Sequence, residues 1–160
     1  MSWGLLLLID AVDHINLVVS DLERSVRFYT ELLGFKEVRR AHLEGQWIES
    51  IIGLKDVRAD VAYLVAPEGE PRLELLCYES PYGEIMPAHS RANTTGLRHI
   101  AFRVKNIKDA VKRLQQAQVQ IVGDTVAVPA TAITHEAGQK VLCYFLDPDG
   151  ILLELAEYRS

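Results

Sequence analysis

The chain has 160 residues, of which 49% are hydrophobic and 24% are charged, and its formal net charge is −5. This length suits one compact domain or two small half-domains that share a core, and it excludes a multidomain enzyme and long disordered stretches. The negative charge argues against a nucleic-acid partner, because neutralising phosphates requires a basic surface.

Cysteine content and hydropathy predict a location. The two cysteines, Cys77 and Cys143, form no CxxC pair, so neither a disulfide framework nor a thiolate zinc site is expected and a reducing cytoplasm is the predicted compartment. The apolar run at 5–9 is too short to span a bilayer. We interpret it as a packing segment and expect no membrane association.

The first half of the chain reads as a strand, a helix and three further strands. The strand opens at His14, and the following helix runs from Ser20 and Glu23, which have capping-box spacing, to a stop at Gly34. Segments rich in valine, leucine and tyrosine then predict strands near 35–39, 59–65 and 72–78. An insertion at 41–58, which contains Trp47 and several isoleucines, predicts a short amphipathic helix.

The second half repeats this order after a linker at 80–96. Its first strand opens at His99, Asn106 is the expected cap of a helix at 107–114, and the apolar residues of that helix recur every three or four positions. Three strands are predicted near 119–122, 141–146 and 151–158. The alignment of His14 with His99 indicates a duplicated chain.

The repeat predicts the fold class. Two tandem βαβββ modules, at 11–79 and 97–160, form an α+β protein with eight strands in two curled mixed sheets. Such sheets can enclose a shared cleft, into which alternate residues of each strand point.

The matched strands carry two histidines and two glutamates, namely His14, Glu74, His99 and Glu154. Each glutamate lies between apolar residues in a strand that looks central, where an unpaired charge is costly. Taken singly, each residue could be an ordinary strand residue on a solvated face. Their recurrence at matched positions favours a metal site, because two imidazoles and two carboxylates suit a divalent ion such as Ni, Co, Zn, Mn or Fe.

Three segments resemble the vicinal oxygen chelate superfamily: HINLVVSDLERSVRFYTELLGF at 14–35, RHIAFRV at 98–104 and FLDPDGILLEL at 145–155. This superfamily includes glyoxalase I, methylmalonyl-CoA epimerase, extradiol dioxygenases and bleomycin-resistance proteins. The resemblance covers nearly the whole chain apart from the first ten residues and the two insertions. It implies paired βαβββ modules with a metal ion at His14, Glu74, His99 and Glu154, and a homodimer.

The four-residue set is similar to that of glyoxalase I of the nickel or cobalt type. The resemblance implies a lyase or isomerase that removes a proton next to a carbonyl and stabilises an enediolate on the metal. It implies a metal-bound carboxylate as the base, with Glu154 the first choice and Glu74 the second. Other members suggest the alternatives of a methylmalonyl-CoA epimerase-like racemase, a ring-cleaving extradiol dioxygenase and a non-catalytic ligand-binding or resistance protein.

Substrate contacts follow from strand parity and from differences within the family. Val18 and Tyr78 stand where glutathione-using relatives have Arg and Asn, so the small-molecule substrate is not expected to be standard lactoylglutathione. Arg103 shares the face of His99, and Arg72 and Tyr78 share that of Glu74. These three residues are candidate substrate contacts.

The remaining candidates are an aromatic residue and the other histidines. Trp47 is either a lid over the site or a hydrophobic anchor of its helix. His42, His89 and His135 lack repeat partners, and we expect them in surface loops.

Overall fold

The computed structural model describes residues 9–84, 91–132 and 136–159. Most of the apolar run at 5–9 and both His89 and His135 therefore lie outside the described residues. The elements in chain order are β1 (His14–Val18), α1 (Leu22–Arg27), a π-helical turn (Phe28–Leu32), β2 (Lys36–Glu44), α2 (Gln46–Ile52), β3 (Arg58–Ala66), β4 (Gly69–Ser80), β5 (His99–Arg103), α3 (Ile107–Gln116), β6 (Ile121–Ala127), β7 (Gln139–Leu146) and β8 (Leu152–Arg159).

The strands form two four-stranded mixed sheets with the same topology, β1-β4-β3-β2 and β5-β8-β7-β6. In each sheet the first strand of the module pairs in parallel with the last, and the other pairs are antiparallel. The predicted α+β class with two βαβββ repeats is confirmed. The histidine-bearing strand therefore lies beside the glutamate-bearing strand in both sheets.

By their contacts the described residues form two compact units. One contains the residues up to Leu22 together with Gly34–Pro81, and the other contains Glu23–Leu33 together with the residues from Tyr82 onward. The segment Glu23–Leu33, which covers most of α1 and the π-helical turn, is therefore assigned to the unit that holds the second sheet.

In the first unit, alternation along the central strands sends leucines to one face of the sheet. Leu64, Leu73 and Leu75 are each almost completely buried on that face. The opposite face carries Glu74 and, further along, an apolar cluster of Ala59, Val61 and Leu76, against which Tyr63 and Tyr78 pack. One face thus combines a carboxylate with an apolar surface.

The insertion forms the expected helix, α2. It ends at Gly53, whose left-handed backbone conformation (φ 72°) lets its N–H donate to the carbonyl of Glu49. Ile48 is buried and Trp47 is 56% exposed. Ile48 therefore anchors the helix, and within this chain Trp47 is not a hydrophobic anchor.

In the second unit, α3 covers one face of its sheet. Asn106 caps the helix as predicted, since its side chain accepts a hydrogen bond from the N–H of Asp109 at 3.1 Å. The Ile107 N–H donates to Glu157 at 2.6 Å. The buried Ile107 and Leu114 face the sheet, where Phe145 is also completely buried. Glu157 therefore lies on the face of the sheet that α3 covers, and Glu154 lies on the opposite face.

Candidate metal centre

The structure brings His14 and Glu74 together on the first sheet. Their strands β1 and β4 pair in parallel, with Asn16 opposite Glu74, and His14 Nε2 lies 3.4 Å from Glu74 Oε2. Asn16 donates a hydrogen bond to the same oxygen at 2.8 Å. The glutamate side chain is held facing the imidazole.

Asp13 orients the His14 ring through a hydrogen bond to Nδ1. Its Oδ2 lies 2.7 Å from His14 Nδ1, and its Oδ1 accepts a hydrogen bond from Arg72 at 2.7 Å. Because a carboxylate only accepts, Nδ1 donates to Asp13, and Nε2 is the ring nitrogen that faces Glu74. The His14 hydrogen bond and the Arg72 charge hold the pKa of Asp13 below its ordinary value, so the acceptor stays ionised.

The second sheet repeats this geometry with His99 and Glu154. His99 Nε2 lies 3.4 Å from Glu154 Oε2, and Glu154 is only 2% exposed, compared with 15% for Glu74. Lys140 on the neighbouring strand places its Nζ 2.5 Å from Glu154 Oε1. That oxygen forms no hydrogen bond of good geometry. The ammonium group is therefore the charge that compensates this buried carboxylate.

A tyrosine faces each glutamate across the adjacent antiparallel strand pair. Tyr63 lies opposite Glu74 and Tyr144 opposite Glu154. The hydrogen bond to Glu74, followed by burial, raises the pKa of Tyr63. Burial, followed by the charge of Glu154 and the hydrogen bond to it, raises the pKa of Tyr144. The ring of Tyr144 also meets that of His99 edge-on at 5.2 Å. Sequence analysis missed this pair, although both tyrosines occupy the strand before their glutamate and could have been found by extending the repeat.

The donors fit the divalent ion that the sequence resemblance implies. Two ligand atoms that each lie about 2.1 Å from one ion are themselves about 3.0–3.4 Å apart, and each His–Glu pair has this separation. The orientation of His14 by Asp13 is also a feature of metal ligands.

The other predicted site residues share the faces expected from strand parity. Arg72 and Tyr78 lie on the face of Glu74, since no bulge interrupts β4 between them. Arg103 lies on the face of His99, with its guanidinium 4.7 Å from the centre of the Tyr158 ring. Arg72 is engaged with Asp13 and lies 3.5 Å from Glu70.

The prediction that His42 lies in a loop is wrong. It belongs to β2, where its Nδ1 lies 2.8 Å from Asp60 Oδ1, and Glu79 is close to both. The predicted strand ended near residue 39, but β2 extends to Glu44 because it pairs with β3 as far as Arg58. Asp60, with smaller contributions from Glu44 and Glu79, raises the pKa of His42 above 6.5.

This ion pair makes stability depend on pH. Because the folded pKa of His42 is raised, its contribution is fully present below about pH 6.5 and is lost as the pH rises through the folded pKa. We expect His42→Gln to melt below the wild type at pH 5.5 and together with it at pH 9. Thermal melts across this range measure the difference. A gap that widens with pH, or one that persists in the Asp60→Asn background, would contradict this origin.

Comparison with known proteins places these pairs in a family. Residues 11–155 match the Glyoxalase/Bleomycin resistance protein/Dioxygenase superfamily. The chain is 32% identical over 149 residues to an uncharacterised Escherichia coli protein, YaeR, covering 91% of this chain and 95% of that protein. It is 29% identical over 148 residues to a lactoylglutathione lyase of Salmonella typhimurium, covering 92% of both.

A solved structure supports the same assignment. The crystal structure of a glyoxalase family protein from Bacillus cereus superposes with a TM-score of 0.80 at 29% identity, over 100% of this chain and 99% of that one. In the part of the chain that the structure describes, no helix is long and apolar enough to cross a membrane. Together, the family match and the shared fold show that the chain belongs to the glyoxalase/bleomycin resistance protein/dioxygenase superfamily.

Proposed function

We propose that the protein is a metal-dependent lyase or isomerase of the glyoxalase type, acting on a small molecule by removing a proton from a carbon next to a carbonyl. The observation that carries this proposal is the pair of His–Glu contacts at repeat-related positions, each with donor atoms 3.4 Å apart. Packing alone does not explain why each half of the chain has a histidine beside a glutamate at the same position.

His14, Glu74, His99 and Glu154 would hold one divalent ion, drawn from Ni, Co, Zn, Mn or Fe. When bound, the ion supplies a Lewis acid that makes a proton next to a coordinated carbonyl easier to remove. Asp13 orients His14 for this role, and the two tyrosines orient the glutamates.

The base is one of the two glutamates. Glu154 is the first choice, since its Oε2 faces the metal position while Lys140 holds its Oε1; Glu74 is the second. Either carboxylate would accept the substrate proton at an oxygen next to the ion and return it to the neighbouring carbon. A racemase of the methylmalonyl-CoA epimerase type is the second candidate, because two equivalent carboxylates could serve opposite faces of one carbon.

The substrate proposed is not standard lactoylglutathione. Val18 is 53% exposed at one of the positions used by glutathione-dependent relatives, and Tyr78 at the other packs against an apolar cluster. This cluster would contact an apolar part of the substrate. Arg72 and the exposed Trp47 are the other proposed contacts in the first unit.

The test is elemental analysis of protein purified without chelators, followed by a screen of hemithioacetals, acyl-CoA epimers and catechols. We expect about one transition-metal ion per chain and turnover of one of the first two classes. Oxygen uptake with catechols would identify a dioxygenase instead. Metal-free protein without turnover after metal addition would identify a ligand-binding or resistance protein and overturn the proposal.

A cytoplasmic location and a homodimer belong to the same proposal. Both cysteines are free thiols, as a reducing compartment requires. Sedimentation analysis of the purified protein measures the oligomeric state.

A further inference from the structure

A cationic strip crosses the second sheet beside Glu154. Arg103 on β5 stacks on the ring of Tyr158, with 4.7 Å from its guanidinium carbon to the ring centre. Tyr158 on β8 is directly opposite Lys140 on β7. All three residues share the face of Glu154, because β8 runs without a bulge between Glu154 and Tyr158.

On this face Lys140 and Glu154 neutralise each other, and Arg103 adds a further positive charge. Lys140 Nζ lies 2.5 Å from the Glu154 carboxylate and is 17% exposed. Arg103 has no carboxylate partner among the residues that the structure describes. The other acidic residue of β8, Glu157, points to the opposite face, where it binds Arg159 and the Ile107 N–H.

Binding of a divalent ion changes this balance. If Glu74 and Glu154 held the ion, their two negative charges would neutralise it, and Glu154 would no longer compensate Lys140 in full. Lys140 and Arg103 would then present two positive charges from the strands on either side of β8. A partly buried ammonium group requires a new counter-charge.

We propose that Lys140 and Arg103 form an anion subsite, and that the substrate therefore carries a carboxylate or phosphate group close to its reacting carbon. This inference rests on the proposed function, since it assumes a metal ion on Glu154. The ammonium group supplies a point charge and the guanidinium supplies paired N–H donors, both of which suit anionic oxygens. Tyr158 holds the Arg103 guanidinium in place through its ring.

The experiment uses hydroxamates as probes, because a hydroxamate chelates a metal through two neighbouring oxygens. The matched pair is the monohydroxamate of succinic acid, which has a free carboxylate, and its methyl ester. A third probe carries a phosphonate in place of the carboxylate. Binding of each probe to the metal-loaded protein is measured by calorimetry, with no turnover required.

We expect the carboxylate probe to bind the wild type about tenfold more tightly than the ester. In Lys140→Met and Arg103→Met the ratio of acid affinity to ester affinity, measured on the same metal-loaded variant, should fall to about twofold or less. The relative affinities of the carboxylate and phosphonate probes then identify which anion the subsite prefers. Equal affinities of acid and ester for the wild type, or a preference that survives both substitutions, would overturn the subsite.

Lys105→Met is the matched control, since Lys105 is an exposed lysine beyond the end of β5, and it should keep the full preference. The ester probe separates the two proposals. If the ester binds the metal-loaded protein but the acid has no advantage, the metal centre stands and the anion subsite fails. If the protein takes up no metal and neither probe binds, the proposed function fails as well.

Discussion

Glu154→Gln should lower metal-dependent kcat/KM by at least about 10³-fold, the largest effect that we expect of any single substitution. Glutamine keeps the size of the side chain, but it could not act as the proposed base and it removes a negative charge from the proposed metal position. It also leaves Lys140 without the carboxylate that lies 2.5 Å away. Steady-state kinetics with the substrate found by screening measures the loss, and metal titration calorimetry measures the accompanying change in affinity.

Glu157→Gln is the matched control for this prediction. It lies on the same strand but on the opposite face, where its Oε2 accepts a hydrogen bond from Ile107, and an amide oxygen can accept the same bond. The control should retain metal and turnover. Circular dichroism confirms that both variants fold. Full activity of Glu154→Gln with bound metal would remove Glu154 from the site.

Comparison with Glu74→Gln distinguishes the base from a residue that is only a ligand. Both substitutions should weaken metal binding, since both residues face a histidine nitrogen at 3.4 Å. At saturating metal, the variant that lacks the base should lose far more kcat than the other. We expect the larger loss for Glu154; the reverse result would assign the base to Glu74.

The His–Glu pairs could be predicted from sequence because two simple regularities locate them. The chain repeats, and residues two apart in a strand share a face, so His14 and His99 could be matched with Glu74 and Glu154. The parallel ladders that join these strands follow from the βαβββ order. Neither step depends on the conformation of a side chain.

Lys140 could not be predicted in the same way, because it has no counterpart in the first half. Tyr78 and Tyr158 occupy matched positions after the two glutamates, but their partners across the strand pair are Ala59 and Lys140. The contact with Glu154 also depends on the side-chain conformation of a long, flexible lysine. The role of Asp13 could not be predicted either, because its hydrogen bonds to His14 and Arg72 depend on the conformations of all three side chains.

The surroundings of the first helix were equally beyond prediction. Apolar periodicity shows that one side of a helix is buried, but it does not identify the surface that covers it. In the structure, Tyr29 and Arg24 reach the turn between β7 and β8, where they contact Asp147 and Asp149. The segment Glu23–Leu33 therefore belongs with the second sheet by its contacts.

The second large effect that we expect is on stability, from Asp147→Ala. Asp147 is 5% exposed, and its carboxylate accepts hydrogen bonds from the N–H groups of Asp149 and Ile151 and from the Tyr29 hydroxyl, at 2.9, 2.8 and 3.1 Å. Alanine leaves these three donors without their acceptor, which should lower the free energy of unfolding by about 3 kcal/mol. Urea denaturation measures this loss. The exposed Asp124→Ala should change stability by less than about 0.5 kcal/mol.

Tyr29→Phe tests the helix contact of this network separately. It removes one hydrogen bond and should lower the free energy of unfolding by about 1 kcal/mol at pH 7, because the N–H groups of Asp149 and Ile151 still donate to Asp147. Burial and the Asp147 charge raise the pKa of Tyr29 well above 10.0. Above pH 10 the unfolded chain therefore loses the tyrosine proton while the folded chain keeps it, and wild-type stability falls with pH. The phenylalanine variant lacks this proton, so its deficit should shrink in alkaline urea melts. A deficit that stays constant to pH 11 would contradict a raised pKa for the buried Tyr29 hydroxyl.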